Sequence, residues 1–192
     1  MRSPVADLLD DFGRALDGTG VRWYLFGAQA AILYGSARLT ADVDATVRLP
    51  QGVTATALVS RLDGHGFRSR IDDPSFVAAT RVLPFVHIPT GLPVDVVLAG
   101  PGLEEQFLER TRLLDVEGVR IPVASPEDLV VMKVLAGRVR DDEDIRAIAD
   151  ANADTLDLPY VRTTIRALEE ALGQSDLLAG LDRALTATRR GR

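Results

Sequence analysis

Apolar positions along the chain recur at two spacings, and their order sets out the expected elements. Val5, Leu8, Leu9, Phe12 and Leu16 fall at helical spacing behind Ser3-Pro4. That pair is a cap residue followed by proline at the first helical position, and Gly18 and Gly20 close the segment. Val21 to Phe26 reads as a strand, Ala28 to Tyr34 as a short helix ended by Gly35, and Asp42 to Val47 as a second strand. Thr54 to Leu62 is predicted helical, stopped by Gly64 and Gly66. Short β-type runs follow: Phe76-Val77-Ala78, Val82 to Ile88 and Val94 to Leu98. Leu103 to Arg112 is expected to be a helix, and Leu113 to Val123 a hairpin turning at Glu117-Gly118.

From there the pattern is helical alone. Ser125-Pro126-Glu127-Asp128 opens the first segment, with Ser as cap and Asp128 at the third helical position. The expected helices cover 127–136, 141–152, 158–172 and 176–189; Val161, Ile165, Leu168 and Leu172, then Leu177, Leu181 and Leu185, hold the helical period. The terminal Arg189-Arg190-Gly191-Arg192 is basic and expected to fray. Strands and helices mixed up to about residue 123, then helices alone, predict an α/β (α+β) fold. A mixed β-sheet core spans 1–123 and a C-terminal helical bundle spans 124–192.

Composition narrows the classes. At 192 residues with 46% hydrophobic and 26% charged, the chain is an ordinary soluble globular protein with a real core. The absence of cysteine excludes disulfides and thiolate metal sites. The N-terminus lacks the apolar stretch of a signal peptide, and no run reaches the ~20 apolar residues of a membrane span, so a cytoplasmic protein is expected. Net charge −6 argues against broad, nonspecific binding to nucleic acid, and leaves room for a local basic groove.

The chemistry concentrates at Phe26-Gly27-Ala28, at Asp42-Val43-Asp44, and at Asp95 inside Leu92-Pro93-Val94-Asp95-Val96-Val97-Leu98. Alternate strand residues share a face, so Asp42 and Asp44 point the same way, and Asp95 on another apolar strand can complete a three-acid cluster. Three hard oxygen ligands suit Mg²⁺, and two such ions about 4 Å apart clamp an in-line phosphoryl displacement. The glycine turn would feed a helix whose first amides can hold a phosphate. Against this, alternating polar and apolar residues describe any half-exposed strand, whose aspartates merely face water. Yet Asp is depleted from strands, and two on one face repel unless a cation sits between them.

A second group follows. The helix Leu129 to Ala136 is apolar all round except for Lys133, which marks it as buried. Lysine is almost never buried without a partner, so Lys133 is expected to open onto a cleft holding something negative; the alternative is a lysine snorkelling to the surface. Beyond it, Arg138-Val139-Arg140-Asp141-Asp142-Glu143-Asp144 reads alone as a solvated helix start and, beside Lys133, as the second half of a nucleotide site.

Together, Gly27-Ala28, Arg38-Leu39-Thr40-Ala41-Asp42-Val43-Asp44, Val94-Asp95-Val96 and Lys133-x-x-Ala136-Gly137-Arg138-x-Arg140-Asp141-x-x-Asp144-Ile145 resemble the DNA-polymerase-β-type nucleotidyltransferase superfamily. The resemblance covers about residues 21 to 150 and is nearest to the AbiEii-like toxins of abortive-infection and toxin–antitoxin systems. It implies a nucleotidyltransferase-type mixed sheet, an NTP substrate, Mg²⁺ as two ions, and nucleotide transfer with release of pyrophosphate. It further implies the tRNA 3′ end as acceptor and an antitoxin partner. Carried over by position, Asp42, Asp44 and Asp95 are the metal ligands, and Asp95 also accepts the proton of the attacking hydroxyl. Lys133 neutralises charge on the triphosphate and, with Asp144, grips the NTP. Gly27, Ala28, Arg38, Thr40 and Arg140 are the further nucleotide contacts.

Arg61, Arg68, Arg70 and Arg81 are candidates for a basic acceptor groove. The chain departs from the pattern at Ala28, where the family carries Gly or Ser, which removes a hydroxyl contact to phosphate and keeps the amide. Two rivals stand beside the RNA reading: transfer to a small-molecule or protein hydroxyl, and a catalytically degenerate nucleotide- or partner-binding protein. His65 and His87 form no metal pair, and no Ser/His/Asp arrangement is apparent.

Overall fold

The computed structural model describes residues 2–71 and 73–186. Helix α1 (Pro4–Leu16) starts where the sequence says: the Ser3 hydroxyl accepts the Ala6 N–H, and Leu8, Leu9, Phe12 and Leu16 are buried on one face. Phe12 meets Trp23 and Phe67 edge to face, with ring centroids 5.0 and 5.7 Å away. Strand β1 (Arg22–Phe26) leads into α2 (Gly27–Leu33), and β2 (Val43–Arg48) follows. Next come α3 (Ala55–Asp63), β3 (Phe67–Ser69), α4 (Pro74–Thr80), β4 (Val82–His87), β5 (Pro93–Leu98), α5 (Leu103–Glu109), β6 (Arg112–Val116) and β7 (Val119–Val123). The four later helices are α6 (Pro126–Ala136), α7 (Val139–Ala151), α8 (Leu158–Leu172) and α9 (Leu177–Thr186).

The strands form one mixed sheet in the order β3-β4-β5-β2-β1-β7-β6. Pairs β1–β2, β4–β5, β3–β4 and β6–β7 are antiparallel, while β2–β5 and β1–β7 are parallel. Val43, Ala45, Val47, Phe67, Phe85, Val94 and Val96 are buried on the face that carries Phe12's contacts. The β6–β7 turn falls at Glu117 and Gly118, both with positive φ, as predicted.

One segment differs from the sequence reading. Phe76-Val77-Ala78 lies in helix α4, not in a strand. The start signal was present: Asp73 caps the Ser75 N–H and Pro74 occupies the first helical position, as Ser3-Pro4 and Ser125-Pro126 do elsewhere. That cap and fixed φ outweigh the strand preference of a short run of aromatic and β-branched residues. The predicted helix over 176–189 is described only to Thr186; its last residues and the basic tail at 189–192 lie outside the described residues.

The chain divides into two compact units. The sheet unit holds the chain up to Gln29 with Leu39–Ala124, and the helical unit holds Ala30–Arg38 with the chain from Ser125 onward. The boundary expected at 123/124 put Ala30–Arg38 with the sheet; it packs instead with the helices. Gly35 shows why: at φ +105° its Cα lies against α7, where an added Cβ would stand 2.5 Å from that of Ala151. Asn152 also donates its side-chain amide to the Tyr34 carbonyl at 3.3 Å. Within the helical unit α6 packs on α7, α8 and α9. Among the described residues no helix is long and apolar enough to cross a membrane.

Candidate active site

In the sheet unit, β2 and β5 are parallel neighbours and Asp44 pairs in register with Asp95. Directly paired residues share a face, so the two carboxylates stand side by side. Across β1 the same row continues to Phe26, and across β4 to Pro84. Asp42 is exposed and lies one residue before β2, with its N–H donating to the Thr40 hydroxyl at 3.2 Å. The Thr40 carbonyl in turn accepts the Gln29 side-chain amide at 3.0 Å.

Gly27 sits where β1 turns into α2, at φ +71°. Asp44 packs so closely there that a Cβ on Gly27 would fall 2.8 Å from the Asp44 Cγ. Only glycine meets both demands without strain, which explains this residue at this place. Ala28, next along, needs no such freedom.

The donor chemistry suits a hard divalent cation, since Mg²⁺ binds through one or two carboxylates completed by substrate phosphates. Asp44 and Asp95 provide such a pair, and Asp42 adds a carboxylate two residues upstream of Asp44. Among the described residues, however, no three His, Cys, Asp or Glu side chains are grouped as they would be around a metal ion. Asp95 Oδ1 accepts a hydrogen bond from the Arg70 guanidinium.

The four arginines proposed for a basic groove separate. Arg68 and Arg70, two residues apart on the β3 edge, share the Asp44–Asp95 face by strand alternation, as the Arg70 N–H bond to the Pro84 carbonyl at 2.8 Å requires. Arg61 instead donates to the carbonyls of Ala15 and Asp17 at the end of α1. Arg81 pairs with Glu104 at 2.8 Å.

In the helical unit a second cluster is built on Lys133. The ammonium is buried, at 6% exposure, and donates to Asp144 Oδ2 at 2.6 Å and to Asp141 Oδ1 at 3.3 Å. The negative partner that sequence reasoning sought in a cleft is thus supplied by the chain's own α7. Arg38 donates to the same Asp144 Oδ2 at 2.8 Å, and the Ser36 hydroxyl to Oδ1 at 2.6 Å. Asp141 Oδ2 accepts the Arg138 N–H at 3.3 Å, capping the first turn of α7. Two cations face two carboxylates, so the network is formally neutral.

Burial pushes the Asp144 carboxyl up. The hydrogen bonds from Lys133 and Ser36, the Lys133 charge and the Arg38 bond outweigh it and hold the group below its ordinary value. Ser36 was not anticipated; a serine just past the glycine that ends a short helix was its only signal. Arg140, in contrast, is exposed in the first turn of α7.

A family model described as a nucleotidyltransferase of unknown function (DUF6036) matches residues 10–176. No curated protein matches the chain in sequence. Two solved structures resemble it in fold. One is the crystal structure of an antigenic nucleotidyltransferase-like protein from Paracoccidioides brasiliensis, 17% identical with a TM-score of 0.59 over 93% of this chain and 92% of that one. The other is the solution structure of the antibiotic-resistance factor ANT(2'')-Ia, 15% identical with a TM-score of 0.60 over 90% of this chain and 97% of that one. At these identities the likeness establishes the fold.

Proposed function

The chain belongs to the nucleotidyltransferase family DUF6036, and on that premise we propose that it moves a nucleotide from an NTP to an acceptor hydroxyl at Asp42, Asp44 and Asp95. The observation that carries this reading is the in-register pair Asp44–Asp95 beside Gly27. In the step itself the acceptor oxygen bonds to the α-phosphorus, the bond to the bridging oxygen breaks, and pyrophosphate leaves. The acceptor's proton passes to the Asp95 carboxylate. Asp42, Asp44 and Asp95 would hold Mg²⁺, two ions in this reading, which when bound polarises the α-phosphate and neutralises developing charge. Gly27 and Ala28 approach the phosphates by backbone, and Thr40 positions the segment entering Asp42.

Within the helical unit, Arg38 and Arg140 are the residues that the resemblance implies for nucleotide contact. Arg38 keeps a quarter of its side chain exposed while anchored on Asp144. Lys133 and Asp144 form the buried base of the nucleotide motif. For the acceptor, we take the 3′ end of tRNA, supported by Arg68 and Arg70 on the carboxylate face. In that form the enzyme is an AbiEii-like toxin of the cytoplasm, restrained by an antitoxin protein.

A second acceptor reading is favoured by the net charge of −6 and by the fold shared with an antibiotic-resistance factor: transfer to a small-molecule or protein hydroxyl. One experiment separates the two. Each α-labelled NTP is incubated with protein, Mg²⁺ and total RNA, and the products are resolved by size. The expected result is label on the tRNA 3′ end with at least one NTP, and no label with Asp44→Ala. Label on a small molecule or on protein moves the acceptor; wild-type turnover in Asp44→Ala removes the site.

A further inference from the structure

The row Arg70–Pro84–Asp95–Asp44 crosses the sheet from its edge, and it places a fixed cation beside a carboxylate assigned to metal binding. Arg70 is not placed there by its side chain alone. Its N–H bonds the Pro84 carbonyl at 2.8 Å, and Pro84 is the cross-strand partner of Asp95. The guanidinium then reaches over Pro84, whose ring makes no competing hydrogen bond, to Asp95 Oδ1. Asp95 and Asp44 carry like charges in directly paired positions, an arrangement that is unfavourable unless a cation lies nearby. Arg70 supplies one on the Asp95 side.

A divalent cation that binds Asp95 through Oδ1 competes with the guanidinium for that oxygen. Resting on the transferase reading above, we infer that Arg70 is the exchange partner of the divalent cation at Asp95 and, once released, a ligand for the phosphates of the incoming NTP. The guanidinium is suited to both tasks because its planar fork matches carboxylate and phosphate alike. Its position also suits both: about two-fifths of the Arg70 side chain and of the Asp95 side chain are exposed, so the exchange needs a rotamer change and no opening of the core. Arg68, two residues away on the same face, leaves a second cation on that face while Arg70 moves. Metal binding and nucleotide binding become coupled through one side chain, and the coupling is reciprocal.

The test is a Mn²⁺ titration of the full chain followed by the signal of the free ion, with α,β-methylene-ATP affinity measured at saturating Mn²⁺. Wild type, Arg70→Ala, Asp95→Asn, the double variant and Asp44→Ala are compared. Removing the competitor should tighten Mn²⁺ binding about two- to fivefold, the range an exposed ion pair supplies. That gain should vanish in the Asp95→Asn background. Affinity for the analogue should fall at least about tenfold in Arg70→Ala, as expected for a lost hydrogen bond between charged groups. Unchanged or weaker Mn²⁺ binding in Arg70→Ala, with binding still abolished in Asp44→Ala, overturns the exchange and leaves the transferase reading standing. Unchanged analogue affinity overturns the phosphate role. If wild type takes up no Mn²⁺ at all, the transferase site fails and this inference fails with it.

Discussion

Lys133→Met is the most informative single change in the helical unit. Methionine keeps the length and packing of the lysine stem, so what is lost is the ammonium. Among the described residues, Asp144 then keeps Arg38 at 2.8 Å and Ser36 at 2.6 Å, and Asp141 keeps the Arg138 N–H. Both carboxylates stay buried, Asp144 at 2% exposure. Removing one partner of a buried ion pair costs about 3–5 kcal/mol. The lower end applies, because Arg38 still faces Asp144 and is partly open to water, so we expect about 3 kcal/mol. For a chain of this size that is a fall in Tm of roughly 6–12 °C.

The intact sequence pattern, an apolar helix with one lysine, suggests the opposite: that Met would be tolerated or even stabilising. Urea denaturation decides between them. A double variant with Asp144→Asn should be destabilised by less than the sum of the single changes, by at least about 1 kcal/mol, since the two side chains are in contact. Acid unfolding offers an independent reading. A carboxyl depressed in the folded state contributes stability above its unfolded pKa, near 4, and loses it as pH falls through the folded value. Lys133 provides the largest of the influences that lower Asp144, so Lys133→Met should begin to unfold at higher pH than wild type. A variant within about 0.5 kcal/mol of wild type, with an unmoved acid limb, would show that the ammonium reaches water and that the network is not structural.

Two further outcomes are expected. Gly27→Ala should cost about 1–2 kcal/mol for positive φ and, by pushing the Asp44 carboxylate aside, should abolish nucleotide transfer in a folded protein; a variant with wild-type transfer would refute the close packing. His87 is buried with Nε2 3.1 Å from Asp11 Oδ2 and Nδ1 2.9 Å from the Thr90 hydroxyl, and stacks on Phe67. Burial lowers its pKa, more than the nearby Asp11 and Asp7 raise it. A base depressed in the folded state contributes stability above its unfolded pKa, near 6.5, that is lost as pH falls toward the folded value. The loss is at most about 1.4 kcal/mol per pH unit. Melting curves between pH 7.5 and 5.5 should show this slope in wild type and not in His87→Gln.

Local chemistry was legible in the chain where the cause is local. Ser3-Pro4 and Ser125-Pro126 start helices because a hydroxyl and a fixed φ act within three residues, and the helical period of Leu8, Leu9, Phe12 and Leu16 selects the buried face before any partner is known. Glu117-Gly118 turns the hairpin for the same reason. Where two local signals competed, at Asp73-Pro74 against Phe76-Val77-Ala78, the cap and the proline decided, and a strand reading failed.

What only the tertiary structure decided is pairing. Asp44 and Asp95 lie about fifty positions apart, on strands that are parallel and not consecutive, and nothing within either strand specifies that they share a register. That match is set by how the whole sheet closes, since a slip of one residue would send Asp95 to the opposite face. The same holds for Arg70, one of several scattered arginines until β3 pairs with β4 and carries it into the Asp95 row. It holds again for Lys133, whose need for an anion follows from its apolar helix, while the identity of that anion as Asp144 and Asp141 follows only from α6 packing on α7. A sequence carries the demand of each side chain for a partner; distances across the fold, which no local spacing encodes, determine which partner answers it.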